Sequence, residues 1–397
     1  MKSKSSFFRF TLILISILTN FNLSAYEEYE IGDMTYYLDD ETRTATLAYL
    51  IPISTITNVV IPSSITKTYT INGITYSETY VVKNIGSHAF NWDGIVFHFN
   101  SITIPSTISY CGWRAFGTDS YSCYPGNVYI SDLTAWCNCT FDGIYSNPAT
   151  IGTLYLNGQL IEHLNIPYGI TQISDFAFRR CDEIISLNIP NTVKEIGYMT
   201  FCGSGLKGEL KIPESVTTIK PKAFMYCNGL ETLYIPKSIT SMGNGAFAFC
   251  TGLKDIYCSI EDPEDLYFDE REYDPEVWGY DDTEVSVFTC NGIWVAYDNP
   301  EVVFQNCVLH VPKGTVDKYR ACDMFNHFIH IVEMDDVVSG DINGDNIVDV
   351  EDVNAAINIT LKLNTIDDYN GSADVNGDGI VDVEDVNAII NTILKLD

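Results

Sequence analysis

Basic residues are scarce in this chain, and several common catalytic patterns are missing. Its 397 residues contain 22 Lys and Arg against 53 Asp and Glu, so the formal net charge is -31 at pH 7. A surface this acidic repels nucleic acid and anionic lipid and attracts cations. The chain also lacks the zinc-protease pattern HExxH, the hydrolase pattern GxSxG and a glycine-rich phosphate loop. The usual sequence signals of an enzyme are therefore absent.

Long apolar runs are also rare, and the main one lies at the start of the chain. Lys2, Lys4 and Arg9 precede the run FTLILISIL, and LSA comes before Tyr26. This pattern predicts a secretory signal over residues 1–25. No later segment reaches 18 apolar residues, and no cysteine follows the predicted cut to carry a lipid. We expect a secreted or cell-surface protein with no membrane span, and removal of three basic residues takes the charge from -31 to -34.

A 23-residue period is the clearest internal pattern. It runs through LNIPYGITQISDFAFRRCDEI, LNIPNTVKEIGYMTFCGSGL, LKIPESVTTIKPKAFMYCNGL and LYIPKSITSMGNGAFAFCTGL. Pro167, Pro190, Pro213 and Pro236 keep this step, as do Phe178, Phe201, Phe224 and Phe247, and Leu164, Leu187, Leu210, Leu233 and Ile256. A unit this short cannot bury its own apolar side. The period therefore predicts stacked coils that share one core.

Each coil divides into two parts. LxIP predicts a short parallel strand ended by proline, because proline cannot donate to a strand ladder. AFxxC predicts a turn or a short helix, and TINGIT predicts a hairpin earlier in the chain. The pattern resembles the BspA-like leucine-rich repeat. The resemblance implies a β-rich solenoid of 23-residue coils over 55–335, with a hairpin cap at 26–54, a terminal cap near its end and insertions at 117–152 and 259–305.

The alternate residues of the LxIP strands should face outward, on the side we expect to be concave. This outward row mixes polar and aromatic groups across five coils, and it would hold a protein or a glycan, or else be an ordinary solvated sheet face. Its residues are His163, Asn165, Ser186, Asn188, Glu209, Lys211, Thr232, Tyr234, Asp255 and Tyr257.

Twelve cysteines are too few for a disulfide scaffold in a chain of this length. Cys181, Cys227 and Cys250 share one position of the repeat and should form one interior row. Cys202 is displaced from that row by two residues, which we interpret as a slip of its coil. We favour buried thiols, although the spacing of adjacent coils, about 5 Å, would also permit a bridge.

Two acidic loops near the C-terminus, DINGDNIVDVED and DVNGDGIVDVED, lie 33 residues apart. Oxygen side chains at loop positions one, three, five, nine and twelve, with a carbonyl at seven, form the ligand pattern of a calcium loop. The predicted ligands are Asp341, Asn343, Asp345, the carbonyl of Ile347, Asp349 and Asp352 in one loop, and Asp374, Asn376, Asp378, the carbonyl of Ile380, Asp382 and Asp385 in the other. Magnesium would need a tighter octahedron.

Each loop precedes an apolar stripe at helical spacing: Val353, Ile357 and Leu361 after the first, and Val386, Ile390, Ile393 and Leu394 after the second. Position twelve is aspartate, not the glutamate of an EF-hand. Loop, aspartate, helix and duplication together make 338–397 resemble a type I dockerin.

The dockerin resemblance implies a small all-α, calcium-binding domain that needs two calcium ions to fold. It also implies attachment to a cohesin-type domain in either of two orientations, within an extracellular polysaccharide-degrading complex. The implied cohesin contacts at loop positions ten and eleven are Val350, Glu351, Val383 and Glu384. Enzyme-borne dockerins often have hydroxyl residues there, so the departure leaves the cohesin class open.

A segment over 261–284 contains twelve acidic residues against one arginine. A pair of carboxylates from it would suffice for a glycosidase, but so charged a loop favours solvation over the burial that shifts a pKa. His327 and His330 lie in the cap-like segment, where packing is the simpler interpretation. We therefore expect a non-catalytic binding protein attached through its calcium domain. The alternative is a BspA-like adhesin whose calcium domain is an anchor or a stabilising clip.

Overall fold

The computed structural model describes residues 27–50, 58–90, 98–117, 124–150, 152–269, 306–334, 342, 348, 350–361, 373–375 and 381–394. The predicted signal at 1–25 lies outside them. The strands are β1 (Glu27–Ile31), β2 (Met34–Asp39), β3 (Thr44–Leu50), β4 (Asn58–Val60), β5 (Ser64–Ile71), β6 (Ile74–Ile85), β7 (His98–Ile104), β8 (Tyr110–Cys111), β9 (Tyr124–Ile130), β10 (Thr140–Phe141), β11 (Thr153–Leu156), β12 (Gln159–Leu160), β13 (His163–Asn165), β14 (Gln172–Ile173), β15 (Ser186–Asn188), β16 (Glu195–Ile196), β17 (Lys207–Lys211), β18 (Thr218–Ile219), β19 (Gly229–Ile235), β20 (Ser241–Gly243), β21 (Asp255–Cys258), β22 (Tyr267–Asp269), β23 (Val308–Val311) and β24 (His330–Glu333). The helices are α1 (Leu133–Cys137), α2 (Val316–Ala321), α3 (Val350–Thr360) and α4 (Val383–Leu394), with 3₁₀ turns at Pro148–Thr150 and Pro263–Asp265.

The 23-residue period builds a solenoid of parallel strands, as predicted. β13 pairs with β15 in the register Leu164 to Leu187, and β19 pairs with β21 in the register Leu233 to Ile256. A second parallel sheet has the order β14-β16-β18-β20-β22. Each coil thus contributes one LxIP strand and one short rear strand, and the AFxxC half forms the turn that follows the rear strand.

The core is a continuous stack of repeated side chains. Phe178, Phe201, Phe224 and Phe247 are each 0 % exposed. Their successive ring centres lie 5.5, 5.2 and 5.2 Å apart, with interplanar angles of 13° or less. Since every ring packs on the equivalent ring of the next coil, burial in one coil depends on the coils beside it.

The segment 117–152 differs from the predicted insertion because much of it forms a coil. β9 lies between β7 and β11, with Val128 paired to Ile102 and to Leu154. β10 pairs with β8 in the other sheet. Both steps along the β7-β9-β11 ladder are 26 residues, not 23, which is why the period misses this coil. Similarly, β22 pairs with β20, so the rear sheet reaches Asp269 inside the predicted insertion 259–305. The rest of that insertion, up to residue 305, lies outside the described residues.

At the N-terminal end, β1, β2 and β3 form an antiparallel meander, and β3 joins β6 in parallel. β5 and β6 form the hairpin predicted at TINGIT. Asn72 and Gly73 both have positive φ, 51° and 76°, the backbone of a two-residue hairpin turn with right-handed strand twist. At the other end, β23 continues the LxIP ladder after β21 and is followed by α2 and β24.

Cys202 lies outside the thiol row, as predicted. Ser204, not Cys202, occupies the position between Cys181 and Cys227, and its Oγ lies 3.4 Å from the Cys227 Sγ. The irregularity of this coil is a bulge at Gly208 and Glu209 in the pairing of β17 with β19. Cys181, Cys227 and Cys250 are all buried free thiols.

The C-terminal segment contains a small helical unit with its own apolar cluster. Ala355 and Ala356 of α3 pack with Val386 and Ile389 of α4, and Ile342 and Ala373 complete the buried set. The two predicted helices therefore exist. The last leucine of each apolar stripe is exposed and not buried, at 62 % for Leu361 and 59 % for Leu394.

Candidate functional site

The structure places all ten residues of the predicted outward row on β13, β15, β17, β19 and β21. Residues of the first three strands are exposed: His163, Asn165, Ser186, Asn188, Glu209 and Lys211. Residues of the last two are half-buried: Thr232, Tyr234, Asp255 and Tyr257. Strand pairing brings equivalent residues of adjacent coils side by side in two groups, β13 with β15 and β17 with β19 and β21.

The first coils of the row carry polar contacts between equivalent residues. The His163 Nδ1 lies 2.8 Å from the Ser186 Oγ, and the Asn188 Nδ2 donates to the Asn165 Oδ1 at 3.3 Å. In the next coil, the Lys211 Nζ lies 3.0 Å from a Glu209 carboxylate oxygen. These groups satisfy one another in part but remain exposed, so they can exchange their contacts for those of a partner.

An aromatic ladder follows, made of Tyr234, Tyr257 and His310. The Tyr234 and Tyr257 rings stack with centres 4.8 Å apart and an interplanar angle of 9°. The Tyr257 and His310 rings stack at 4.2 Å with the same angle. The Lys211 Nζ lies 5.3 Å from the centre of the Tyr234 ring. Both faces of the Tyr257 ring are thus covered by the neighbouring rings, and all three side chains of the ladder are half-buried.

The charged neighbours of the ladder set its electrostatics. Burial is the main cause that raises the pKa of Tyr234, and the nearby Glu209 carboxylate raises it further. Burial also raises the pKa of Tyr257, with a further contribution from the Asp255 carboxylate. Both phenols therefore remain protonated at neutral pH and can donate hydrogen bonds. The His310 Nε2 lies 2.9 Å from the Asp255 Oδ1, which ties the end of the ladder to the carboxylate of the preceding coil.

His310 is the site residue that the sequence interpretation missed. It pairs with Tyr257 in the register of β21 and β23, so it is the next member of the same row. The signal was present, because VLHVP at 308–312 repeats the LxIP pattern. The long segment between Cys258 and Val308 breaks the 23-residue step and hides that match.

The described part of the acidic segment, 261–269, contains no assembled pair of carboxylates. Glu261, Asp262, Glu264 and Asp265 are exposed, and Asp262 lies 2.9 Å from the Lys318 Nζ. His327 is exposed near α2, and His330 is exposed on β24. None of these groups shows the burial that would prepare a carboxyl or imidazole for acid-base chemistry.

The described residues of the two acidic loops share one arrangement. The Asp352 Oδ1 accepts from the Ile342 amide at 2.7 Å, and the Asp385 Oδ1 accepts from the Val375 amide at 2.8 Å. Asp352 and Asp385 occupy loop position twelve and are both 0 % exposed. The other Asp385 oxygen accepts from the Asp382 amide at 2.9 Å. Each carboxylate, at the start of its helix, thus forms a hydrogen bond with the beginning of its own loop.

The fit of these loops to a cation rests on these buried carboxylates. A carboxylate has about four lone-pair sites, so an oxygen that accepts an amide can still bind an ion. Asp374 and Asp382 are half-buried in the same loop as Asp385. The other predicted ligands lie outside the described residues: Asp341, Asn343, Asp345, Ile347, Asp349, Asn376, Asp378 and Ile380. Within the described set alone, no three acidic, histidine or cysteine side chains converge on one point.

The predicted docking residues are exposed in equivalent places. Val350 is 65 % and Val383 is 61 % exposed, and Glu351 and Glu384 follow each of them on the helix surface. Together with Leu361 and Leu394, they repeat the same apolar and acidic surface on α3 and α4.

Across the described ranges, no helix is long and apolar enough to span a membrane.

Comparison with known proteins supports the repeat assignment. Residues 149–269 match the model of the BspA type leucine rich repeat region, in six copies. No curated protein matches the chain.

Three solved structures are similar to parts of the chain. A leucine rich cell surface protein from Faecalibacterium prausnitzii is 19% identical, with 59% of this chain and 70% of that chain covered and a TM-score of 0.37. A leucine-rich repeat protein from Bacteroides ovatus is 20% identical, with coverage of 61% and 67% and a TM-score of 0.35. The T. pallidum leucine rich repeat protein is 17% identical, with coverage of 59% and 86% and a TM-score of 0.30.

None of these TM-scores reaches 0.5, so the assignment rests on the family match and on the coils themselves. The constant 23-residue register, the LxIP strands and the stacked phenylalanines all fall within the matched range. Residues 149–269 therefore match a BspA-type leucine-rich repeat region.

Proposed function

We propose that this chain is a non-catalytic binding protein of the cell exterior that recognises a partner with the outward row of its LxIP strands. The observation that supports this most is the aromatic ladder of Tyr234, Tyr257 and His310, held in register by β19, β21 and β23. Proteins with BspA-type repeats are typically secreted or surface-attached binding proteins, which agrees with this assignment.

The geometry of the ladder favours a protein partner over a sugar. Sugars commonly stack on the open face of an aromatic ring, but here the faces of Tyr257 are covered by Tyr234 and His310. The exposed edges and hydroxyl groups instead suit hydrogen bonds and edge contacts, the way tyrosine is used at protein interfaces. Asp255 and Glu209 beside the ladder add acceptors for basic or amide groups of a partner.

The test is a double substitution in the ladder. We expect Tyr234→Ala with Tyr257→Ala to weaken binding at least about tenfold against a panel of purified extracellular proteins and glycans, since central aromatic residues dominate interface energies. The matched control is Tyr168→Ala with Tyr267→Ala, which removes two tyrosines that are 81 % and 67 % exposed and lie outside the ladder. Equal binding by both variants, with the fold intact, removes the ladder from consideration.

We further propose that the C-terminal segment is a calcium-dependent, dockerin-like module that attaches the chain to a cohesin-type domain. Its support is the duplicated loop, the equivalent buried Asp352 and Asp385, and the matching exposed Val350 and Val383. Two calcium ions would be held by the predicted loop ligands, and calcium would supply the charge that lets these carboxylates pack together.

Capture of purified cohesin domains by the full chain tests this attachment. We expect binding in calcium, loss of binding in chelator, and loss in a variant with Val350→Asp and Val383→Asp. Replacement of only one valine should leave binding largely intact, because the other helix can still dock. If the chain binds none of the cohesin domains tested, the result favours the alternative, in which the tail is an anchor or a stabilising clip of a BspA-like adhesin.

A further inference from the structure

A buried arginine in the first coils of the repeat has no carboxylate partner among the described residues. Arg179 is 6 % exposed, and its Nε makes no hydrogen bond. Within the part of the chain that the structure describes, no carboxylate forms an ion pair with its guanidinium. Burial lowers the pKa of this guanidinium, yet a group of this basicity keeps its proton. A cation that has lost most of its hydration and is paired with no carboxylate is stabilised by an accompanying anion.

The nearby acidic residues are engaged elsewhere. The Glu183 Oε1 accepts from the Leu154 amide at 2.6 Å, and the Asp175 Oδ1 accepts from the Tyr198 amide at 2.7 Å. Asp182 is exposed. The residues that influence Arg179 electrostatically are instead Cys202, Arg180, Tyr145 and Tyr198.

The repeat itself shows that this position needs no charge. The equivalent residues in the next three coils are Cys202, Met225 and Ala248, all buried. An apolar side chain therefore fits the same place in the same fold. Arg179 departs from this pattern in the coil that meets the irregular segment before residue 150.

The packing at that junction contains further buried polar atoms. The Asn147 Nδ2 donates to the Phe176 and Ala177 carbonyl oxygens at 2.9 and 2.8 Å, which holds the segment 145–150 against the turn that carries Arg179. In the same segment, the Ser146 Oγ and the Thr150 Oγ1 are buried and have no hydrogen-bond partner among the residues that the structure describes. Hydroxyl groups and a planar guanidinium are the donors that bind oxyanions in proteins.

We propose that Arg179 is the charged centre of a buried site for a small oxyanion of the phosphate or sulfate class, located where residues 145–150 meet the turn 176–180. The guanidinium supplies a planar fork of donors that matches two oxygens of such an ion. The bound ion neutralises the buried charge and joins the irregular N-terminal coils to the regular repeat. This site is independent of the outward row and of the C-terminal segment.

Titration with inorganic phosphate tests the site in the full chain. At constant ionic strength, with gluconate replaced by phosphate, the melting temperature of the wild type should rise by a few degrees for each tenfold step above the dissociation constant. Arg179→Met, which copies the residue of Met225, should remove this dependence. Arg180→Met, an exposed neighbour with the same change in charge, should retain it.

Two results overturn the proposal. One is a wild type whose melting temperature and calorimetric titration show no response to phosphate or sulfate. The other is an equal response in Arg179→Met, which would mean an adventitious ion only. If Arg179→Met does not fold, Arg179→Lys keeps the charge but loses the planar fork. It should then bind phosphate several-fold more weakly by calorimetry, and unchanged affinity would contradict the assignment.

Discussion

Phe224 is fully buried between the rings of Phe201 and Phe247. The centre of each neighbouring ring lies 5.2 Å from the centre of the Phe224 ring. Its environment is set almost entirely by equivalent residues of neighbouring coils. A truncation at this position therefore leaves a cavity with aromatic walls on two sides, which the stack cannot close without moving both coils. Truncation of a phenylalanine in the middle of the stack should therefore destabilise the protein more than truncation of a phenylalanine at its end.

We expect Phe224→Ala to lower the free energy of unfolding by about 3–5 kcal/mol, the usual range for removal of a buried aromatic ring. Chemical denaturation of the full chain measures it. Tyr168→Ala, at a side chain that is 81 % exposed, is the control and should change stability little. Similar losses in the two variants would contradict the stacked core.

Glu183 shows how burial acts on a single charge. Desolvation raises the pKa of its carboxyl above the usual value of 4.5, although the hydrogen bond from the Leu154 amide opposes the shift. The folded state therefore holds the proton to a higher pH than the unfolded state does. The stability contributed by this group is fully present below the unfolded pKa and is lost as pH rises through the folded pKa.

Glu183→Gln removes that dependence while keeping an oxygen to accept from Leu154. The variant should gain stability relative to the wild type as pH rises from about 4.5 to 7. Melting temperatures of both proteins across this range measure the difference. A constant difference between Glu183→Gln and the wild type would show that burial does not perturb this group.

At the scale of elements, the sequence could predict those strands and turns that follow a regular period or contain a characteristic turn sequence. The LxIP strands and the AFxxC turns followed from residues that recur every 23 positions, and the TINGIT hairpin followed from its Asn-Gly turn. The β9 coil was missed because its register steps are 26 residues, and β23 was missed as a member of the row because a long segment separates it from β21. The predicted row therefore lacked His310.

The hairpin of β5 and β6 depends on its turn. Gly73 has a φ of 76°, which strains residues with a β-carbon. We expect Gly73→Ala to destabilise the hairpin by roughly 1 kcal/mol. Hydrogen exchange of the amides in 64–81 should then become faster. Gly73→Asn is the matched variant, because asparagine adopts this conformation more readily, and it should lose less protection. Equal protection in Gly73→Ala and wild type would argue against this turn geometry.

At the scale of the whole molecule, the described residues form two separate buried clusters. One runs through the solenoid from Tyr36 to Ile331, and the other joins α3 to α4. The described part of the second has six buried apolar residues, and a domain of about 60 residues with so small a core usually needs metal ions or disulfides to be stable. Six acidic residues in its two predicted loops, at positions one, five and twelve, would repel one another without a cation. The central proposal is that calcium orders this C-terminal segment, which would attach the solenoid to a cohesin-type domain.

Calorimetric melting of the full chain in calcium and in chelator tests that claim most directly. The account predicts a separate transition for the C-terminal segment that rises with calcium concentration. Asp341→Ala with Asp374→Ala should abolish the rise, while Asp182→Ala with Asp265→Ala, which changes the charge equally, should leave it unchanged. A C-terminal transition at the same temperature in calcium and in chelator would contradict the account.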